Sequence, residues 1–263
     1  MPTTSIGDAE LFYEETGDGP PLMLVPGLGG QGSFWISQVP VFSRDFRTVV
    51  HDHRGTGRST HSRLTYSIEQ MADDALRLMD ALKIDSAHFV GHSTGGAIGQ
   101  AIALDHPERL RSLVLSATWA GPDPYFRRLF ESRRQTLIDS GIEAYLRASS
   151  LMQTTPWWVS RNDDFLTDLH RVTAASAAPV EILVSRIDAI LRHDRRRRLL
   201  EIRVPTLVIV AQDDMITPRF YSDELASRIP GAKLVVLETG GHYAPAINSE
   251  PYNAAVGSFL RSQ

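Results

Sequence analysis

The chain has 263 residues, 42% of them hydrophobic and 22% charged, which is the balance of a soluble globular protein with room for one large domain or a core with an insertion. A net charge of -4 argues against nucleic acid as the main partner, and the absence of cysteine excludes disulfides, thiolate metal sites and a cysteine nucleophile. No basic segment followed by an apolar run opens the sequence and no stretch approaches a membrane span, so the expectation is a cytoplasmic monomer or homodimer with neither a membrane nor a nucleic-acid partner.

In chain order, Ala9 to Thr16 reads as an edge strand closed by the turn signals Gly17-Asp18-Gly19-Pro20. Leu22-Met23-Leu24-Val25 is wholly apolar, the pattern of a strand buried on both faces, and it runs into the glycine-rich Pro26-Gly27-Leu28-Gly29-Gly30. Such a loop cradles a phosphate or lines an oxyanion hole. The phosphate reading lacks both the further glycine of a dinucleotide fingerprint and a following Gly-Lys-Ser/Thr. The oxyanion reading takes the Leu28 N–H as one donor. Trp35 then opens a predicted helix through Phe42 and is a candidate substrate contact, although an aromatic residue just past such a loop often serves packing alone.

Arg47 to His51 reads as the next strand. The loop His51-Asp52-His53-Arg54-Gly55-Thr56-Gly57-Arg58-Ser59 after it offers histidines without a third ligand at a matching spacing, so it is read as a hydrogen-bonded structural loop and no metal is expected. Ser67 to Lys83 is a helix with Ser67 as N-cap, burying Ile68, Met71, Ala75, Leu78 and Leu82 along one face.

Ala87-His88-Phe89-Val90 is short, apolar and β-prone. It leads into Gly91-His92-Ser93-Thr94-Gly95-Gly96 and then a helix of small residues from Ala97. Strand, Gly-x-Ser-x-Gly, helix is a nucleophile elbow. A tight strand-to-helix turn projects the Ser93 hydroxyl clear of the backbone and needs neighbours without bulky side chains. The helix start offers the Thr94 N–H as a second donor to a developing oxyanion.

After the apolar Leu113-Val114-Leu115, strand-like runs vanish from about Gly121 to Glu201, and arginine, tryptophan and helical periodicity take over. The expected organisation is therefore a core of residues 1–120 and 202–263, with residues 121–201 a helical cap inserted after the strand at 113–117. Within the cap, Phe126, Leu129, Phe130 and Leu137 share a face with Arg133 in its middle, and Pro156 precedes Trp157-Trp158. Phe126, Arg133 and Trp157 join Trp35 as candidate substrate contacts. A guanidinium in an apolar arc is costly unless paired, and a substrate carboxylate is its best partner. The basic run Arg195 to Arg198 reads as a solvated helix end.

Strands resume at Thr206 to Val210, ending in Ala211-Gln212-Asp213-Asp214, with Pro218 starting a helix through Arg228. Lys233 to Leu237 ends in Glu238-Thr239-Gly240-Gly241-His242, ahead of a closing helix from Glu250 to Leu260. A serine, an acid and a histidine thus each follow the end of a strand, and parallel strands bring those ends to one edge of the sheet. The spacing to Pro218 favours Asp214 over Asp213 as the acid, with Asp123 as a fallback.

With Pro26 to Gly30, Asp52-x-Arg54-Gly55-x-Gly57-x-Ser59, the Ser93 elbow, Asp214-x-x-x-Pro218 and Gly241-His242, the chain resembles the α/β-hydrolase superfamily over nearly its whole length, and the order Ser, Asp, His is that family's. Inside it, the Gly-Leu-Gly-Gly loop leading to Phe34-Trp35 and the start Tyr66 to Met71 are similar to the aminoacrylate hydrolases of pyrimidine breakdown and the 3-oxoadipate enol-lactonases. The arginine-rich first cap helix and paired tryptophans resemble the first group more. Some of that group lack a serine at the elbow; this chain keeps Ser93.

The resemblance implies a mostly parallel sheet flanked by helices, no cofactor, and a Ser93-His242-Asp214 hydrolase. Such an enzyme acts through an acyl-enzyme on a small ester, lactone or amide/enamine-type substrate. Two alternatives on the same fold are a cofactor-free perhydrolase, since Gly-His-Ser-Thr-Gly-Gly also occurs in haloperoxidase-like esterases, and a non-catalytic small-molecule receptor that retains the triad.

Overall fold

A computed structural model describes residues 2–263, so Met1, the first residue of the expected core, lies outside the described residues. Eight strands form one sheet: β1 Thr3–Ser5, β2 Glu10–Thr16, β3 Pro21–Val25, β4 Arg47–His51, β5 Ala87–His92, β6 Leu110–Ser116, β7 Thr206–Ala211 and β8 Lys233–Leu237. Their spatial order is β1-β2-β4-β3-β5-β6-β7-β8. The pairs β1–β2 and β2–β4 are antiparallel and all others parallel.

The helices are α1 Val39–Phe42, α2 Ile68–Ala81, α3 Thr94–Asp105, α4 Pro124–Gln153, α5 Pro156–Val159, α6 Asp163–Ala175, α7 Val180–Arg192, α8 Arg219–Arg228, α9 Ala244–Ile247 and α10 Ser249–Leu260. No helix among the described residues is long and apolar enough to cross a membrane.

The period of two along each strand splits the interior into two cores. Met23, Val25, Phe89, Leu113 and Leu115 face one side and pack with α2, α3 and the helices between β6 and β7. Leu22, Leu24, Val90 and Val114 face the other, with Trp35, Phe42 and α10. Because both faces are covered, the central strands carry no polar alternation, which is why they read as short unbroken apolar runs. Helix α2 starts where Ser67 accepts a hydrogen bond from the Gln70 N–H at 3.1 Å, and it buries Ile68, Met71, Ala75 and Leu78.

Two local expectations change. β2 is not the edge strand, because the three-residue β1 covers it; Thr3-Thr4-Ser5 is too short and polar to signal a strand. The stretch from Trp35 to Phe42 is not one helix. It is a 3-10 turn over Gly32–Trp35 followed by the one-turn α1, whose second residue, Pro40, has no N–H to continue a ladder from behind.

Between β6 and β7 the chain makes α4 to α7 and no strand. Gly141, at φ 76° and ψ -178°, breaks α4 into two helices. The arginine run after α7 is a 3-10 turn, Arg196–Glu201, rather than a solvated helix end. Arg195 pairs with Glu69 and Asp105, Arg196 with Glu224, and Arg198 with Asp105 and Glu201. These pairs tie the end of the insertion to α2, α3 and α8.

Candidate active site

The elbow is built from close approach. Ser93, between β5 and α3, has φ 54° and ψ -114°, a region that a residue with a side chain enters only when its surroundings impose it. A Cβ on Gly91 would lie 2.2 Å from the Gly95 carbonyl oxygen, and one on Gly95 would lie 2.2 Å from that of Val25. Neither position admits a side chain. The turn is held from β6 and the loop beyond it. Ser93 N–H donates to the Ser116 carbonyl at 2.8 Å, and Thr118 Oγ1 donates to the Ser93 carbonyl at 2.8 Å.

Asp214, Thr217 and His242 lie at the ends of the neighbouring strands β7 and β8. His242 Nδ1 donates to Asp214 Oδ2 at 2.9 Å, which puts a proton on Nδ1 and leaves Nε2 clear of the carboxylate. Asp214 Oδ1 accepts the Ile216 and Thr217 N–H groups at 2.8 and 2.9 Å, and Oδ2 also accepts the Thr217 hydroxyl at 2.9 Å. The carboxylate is thus oriented by its own turn before it meets the imidazole. Ser93, Asp214 and His242 are all buried. The His92 ring, one residue before Ser93, lies 4.8 Å from the His242 ring, which brings the elbow and the His242 loop together. The Ser93 hydroxyl makes no hydrogen bond among the described residues; catalytic contacts of this kind commonly tighten only when substrate is bound. Burial and the nearby His242 hold the His92 imidazole neutral, well below its ordinary pKa.

Asp213 turns the other way. It accepts the Thr239 hydroxyl at 2.6 Å and the Gly241 N–H at 2.8 Å, so it braces the loop carrying His242 rather than the ring. Asp123 caps α4 through the Phe126 N–H at 2.8 Å and receives the Tyr221 hydroxyl, and it has no contact with His242.

The loop Gly27 to Gly30 lies against the elbow: a Cβ on Gly27 would stand 3.1 Å from that of Ser93. The Leu28 N–H has no acceptor among the described residues. The Thr94 N–H opens α3, where the first turn leaves amides without intrahelical partners.

Among the candidate substrate contacts, Trp35 and Phe126 are corrected. Trp35 is completely buried in the second core, edge-on to Phe34 at 4.9 Å and to His92 at 6.3 Å, so it supports the elbow from behind. Phe126 is likewise fully buried, filling the space between Trp119, Phe130 and Tyr221. An apolar helical face does not reveal which of its aromatics roofs a cavity and which fills the core. Trp157, on α5, is 43% exposed, with the Arg161 guanidinium 5.7 Å from its ring centre.

Arg133 is 5% exposed. It donates to Tyr145 Oη at 2.9 Å and Ser149 Oγ at 3.3 Å and lies 4.9 Å from the Phe130 ring centre, and no carboxylate pairs with it among the described residues. It is within electrostatic reach of Tyr243, the residue after His242. Burial pushes that phenol up to about 12, against the opposing pull of the Arg133 charge. The Tyr243 N–H also donates to the Gln153 carbonyl at 3.0 Å, so the end of α4 rests on the His242 loop.

A partly enclosed cavity of about 80 Å³ lies between the Leu28–Gly29 loop, Gly55 to Gly57 and the insertion, where Ile142, Tyr145 and Leu183 line it. A larger open groove of about 560 Å³ lies around Asp123, Tyr221 and Arg228, and neither space is lined by Ser93, Asp214 or His242. Sequence reasoning does not single out Thr217, Tyr145 or Tyr243. Thr217 alone carries a signal, as the residue before Pro218 in the turn that follows the acid.

A family profile described as alpha/beta hydrolase fold matches residues 20–248. Two proteins named "Putative carbamate hydrolase RutD" are similar over almost the full length of both chains. The one from Azorhizobium caulinodans is 38% identical over 98% of this chain and 98% of its own. The one from Stutzerimonas stutzeri is 40% identical over 97% and 96%. The crystal structure of the enol-lactonase from Burkholderia xenovorans superposes with a TM-score of 0.92 at 30% identity, covering 99% of this chain and 100% of that one. A mostly parallel eight-stranded sheet with this strand order, a strained serine after β5, and these matches lead to one conclusion: the chain belongs to the α/β-hydrolase fold family.

Proposed function

We propose that this enzyme is a serine hydrolase that cleaves a small carboxylated ester, lactone, amide or carbamate through an acyl-enzyme on Ser93. The observation that carries the reading is the 2.9 Å His242–Asp214 bond beside a serine held at φ 54°. In the reaction, His242 Nε2 takes the Ser93 proton as Oγ attacks the acyl carbon, and Asp214 stabilises the imidazolium that forms. The tetrahedral oxyanion is received by the Leu28 and Thr94 N–H groups. Collapse expels the amine or alkoxide, which takes the proton from His242. Water then attacks the acyl-enzyme with His242 as base, releasing the acid and restoring the Ser93 hydroxyl.

One feature supports an acidic substrate. Arg133 brings a buried guanidinium without a carboxylate partner close to the residue after His242. We assign it the substrate carboxylate, which would complete the pair. Residues 121–201 then act as the cap that closes the site, and the enzyme works in the cytoplasm as a monomer or homodimer.

The reading is tested by a hydrolysis screen over small carboxylated amides, carbamates, enamines, enol-lactones and esters, with Ser93→Ala alongside. Turnover lost in the variant supports it. Peroxyacid formation that outruns hydrolysis when peroxide is added would make the enzyme a perhydrolase. Saturable binding without turnover would make it a receptor.

A further inference from the structure

Arg186, on α7, is completely buried. One guanidinium nitrogen, Nη1, donates to the Arg54 carbonyl at 2.9 Å; the other, Nη2, donates to the Leu28 carbonyl at 3.1 Å and to His53 Nδ1 at 3.1 Å. Its Nε is buried without a partner, and no carboxylate pairs with it among the described residues. Burial pulls the guanidinium down to about 10. A cation in this position is expensive, and charge-assisted bonds to carbonyls offset only part of that cost.

Docking α7 does not need it. The same helix is tied to the core by Arg192 Nη2 donating to the Tyr66 carbonyl at 2.8 Å, and by the Tyr66 N–H donating to Ser185 Oγ at 3.0 Å. Neither of those ties touches the Gly27 to Gly30 loop. That loop is closed by the Gly30 N–H to the Gly27 carbonyl at 2.9 Å, and its far end is held where the Gly30 carbonyl accepts the His53 N–H and the Thr56 hydroxyl. The middle of the loop, at Leu28, packs against the core and is hydrogen-bonded among the described residues only by Arg186. Leu28 is also the residue proposed above as an oxyanion donor, and it follows Gly27, which packs against Ser93. Holding its carbonyl restrains the torsion angle that links it to this N–H.

We propose that Arg186 is a positioning residue for catalysis, through which the seating of the cap sets the oxyanion loop at Leu28. The inference rests on the serine-hydrolase reading above. It explains why a cation is buried here without a counterion. The loop is oriented for an oxyanion only when α7 is in place, so closing the site over substrate and aligning the donor are one event.

The test compares Arg186→Met and Arg186→Lys with Arg192→Met, which removes a cap-to-core tie away from the loop. The readouts are kcat and KM on an activated small ester, and the inhibition constant of a small alkylboronic acid. Ser93 Oγ adds to the boron with its proton passing to His242, giving a tetrahedral anion that uses the oxyanion donors. Expected for Arg186→Met is a kcat lower by about 10- to 100-fold, a KM within about threefold, and boronate inhibition weakened in parallel with kcat. Arg186→Lys, which reaches one carbonyl and not both, should fall between it and the wild type, and it carries the test should the Met variant not fold. Arg192→Met should leave kcat and boronate inhibition within about threefold. The proposal is overturned if folded Arg186 variants keep wild-type kcat and boronate affinity, or if Arg192→Met reproduces their losses. A wild type without turnover, or activity that survives Ser93→Ala, would instead overturn the hydrolase reading itself.

Discussion

The sheet edge and the helical insertion solve the burial of polar groups in opposite ways. At the edge, Asp214 receives four hydrogen bonds, three of them from within three residues of itself, and Asp213 braces the neighbouring loop. In the insertion, Arg133 and Arg186 are buried with hydroxyls and carbonyls for company and no carboxylate. A site whose partners are local is formed as soon as the strands align. A buried cation without a counterion is left for something else to complete. On the proposed function, bond-breaking falls to the sheet edge and choice of substrate to the helices.

The sharpest way to break this division is at its centre. Ser93→Ala should lower turnover by at least about a thousandfold while leaving the circular dichroism spectrum unchanged. Retention of more than a few per cent of activity would move the chemistry to water activated directly by His242. Next in size, Asp214→Asn should cost about a hundredfold or more in kcat, because the amide no longer stabilises the imidazolium. Asp213→Asn should cost less than about tenfold, through the loop alone; equal losses would mean that the two carboxylates share the role.

On the insertion side, Arg133→Ala should raise KM for acidic substrates by about 10- to 100-fold, the range of a hydrogen bond to a charged group, and spare neutral esters. Steady-state kinetics on one substrate of each class decide it. Loss of both classes alike would remove Arg133 from the substrate site.

The smallest effect compares the regions as hosts for a proton. Burial pulls His51, at the end of β4, and His193, just past α7, to about 4. With the unfolded value near 6.5, the unfolded chain binds the extra proton first as pH falls. The stability these groups contribute is therefore full above about 6.5 and is lost as pH falls from there towards 4, at up to about 1.4 kcal/mol per pH unit for each. Urea unfolding at pH 7 and pH 5 should show the fall. His193→Leu, removing a ring with neither nitrogen hydrogen-bonded, should flatten it by about one proton.

The same contrast explains what could be read before the fold was known. The central strands are legible because covering both faces of a parallel sheet leaves nothing but apolar residues, as at Leu22 to Val25. The start of α2 is legible because Ser67 has to satisfy an amide. The carboxylate that faces His242 is legible from turn length, since one residue's shift turns Asp213 away. The insertion offers no such local rule. Phe126 and Trp35 look like pocket aromatics in one dimension and are core in three, because a helical face does not state what lies opposite. Arg186 is invisible in the sequence for the same reason: two of its partners, the carbonyls of Leu28 and Arg54, are 158 and 132 residues away and leave no trace in composition, and the third, His53, is 133 residues away.

The elbow has one further consequence. Its shape is imposed by contacts at Gly91, Gly95, Ser116 and Thr118, and none of them involves the atom at the tip of residue 93. The mount is therefore independent of the nucleophile it carries, and a sulfur atom can replace the oxygen without asking the backbone to move. Because the chain has no cysteine, Ser93→Cys would give the molecule a single thiol, and every alkylation event would report from that one position. The pH dependence of its labelling would then measure directly, without any substrate, how strongly the imidazole beside it draws off a proton.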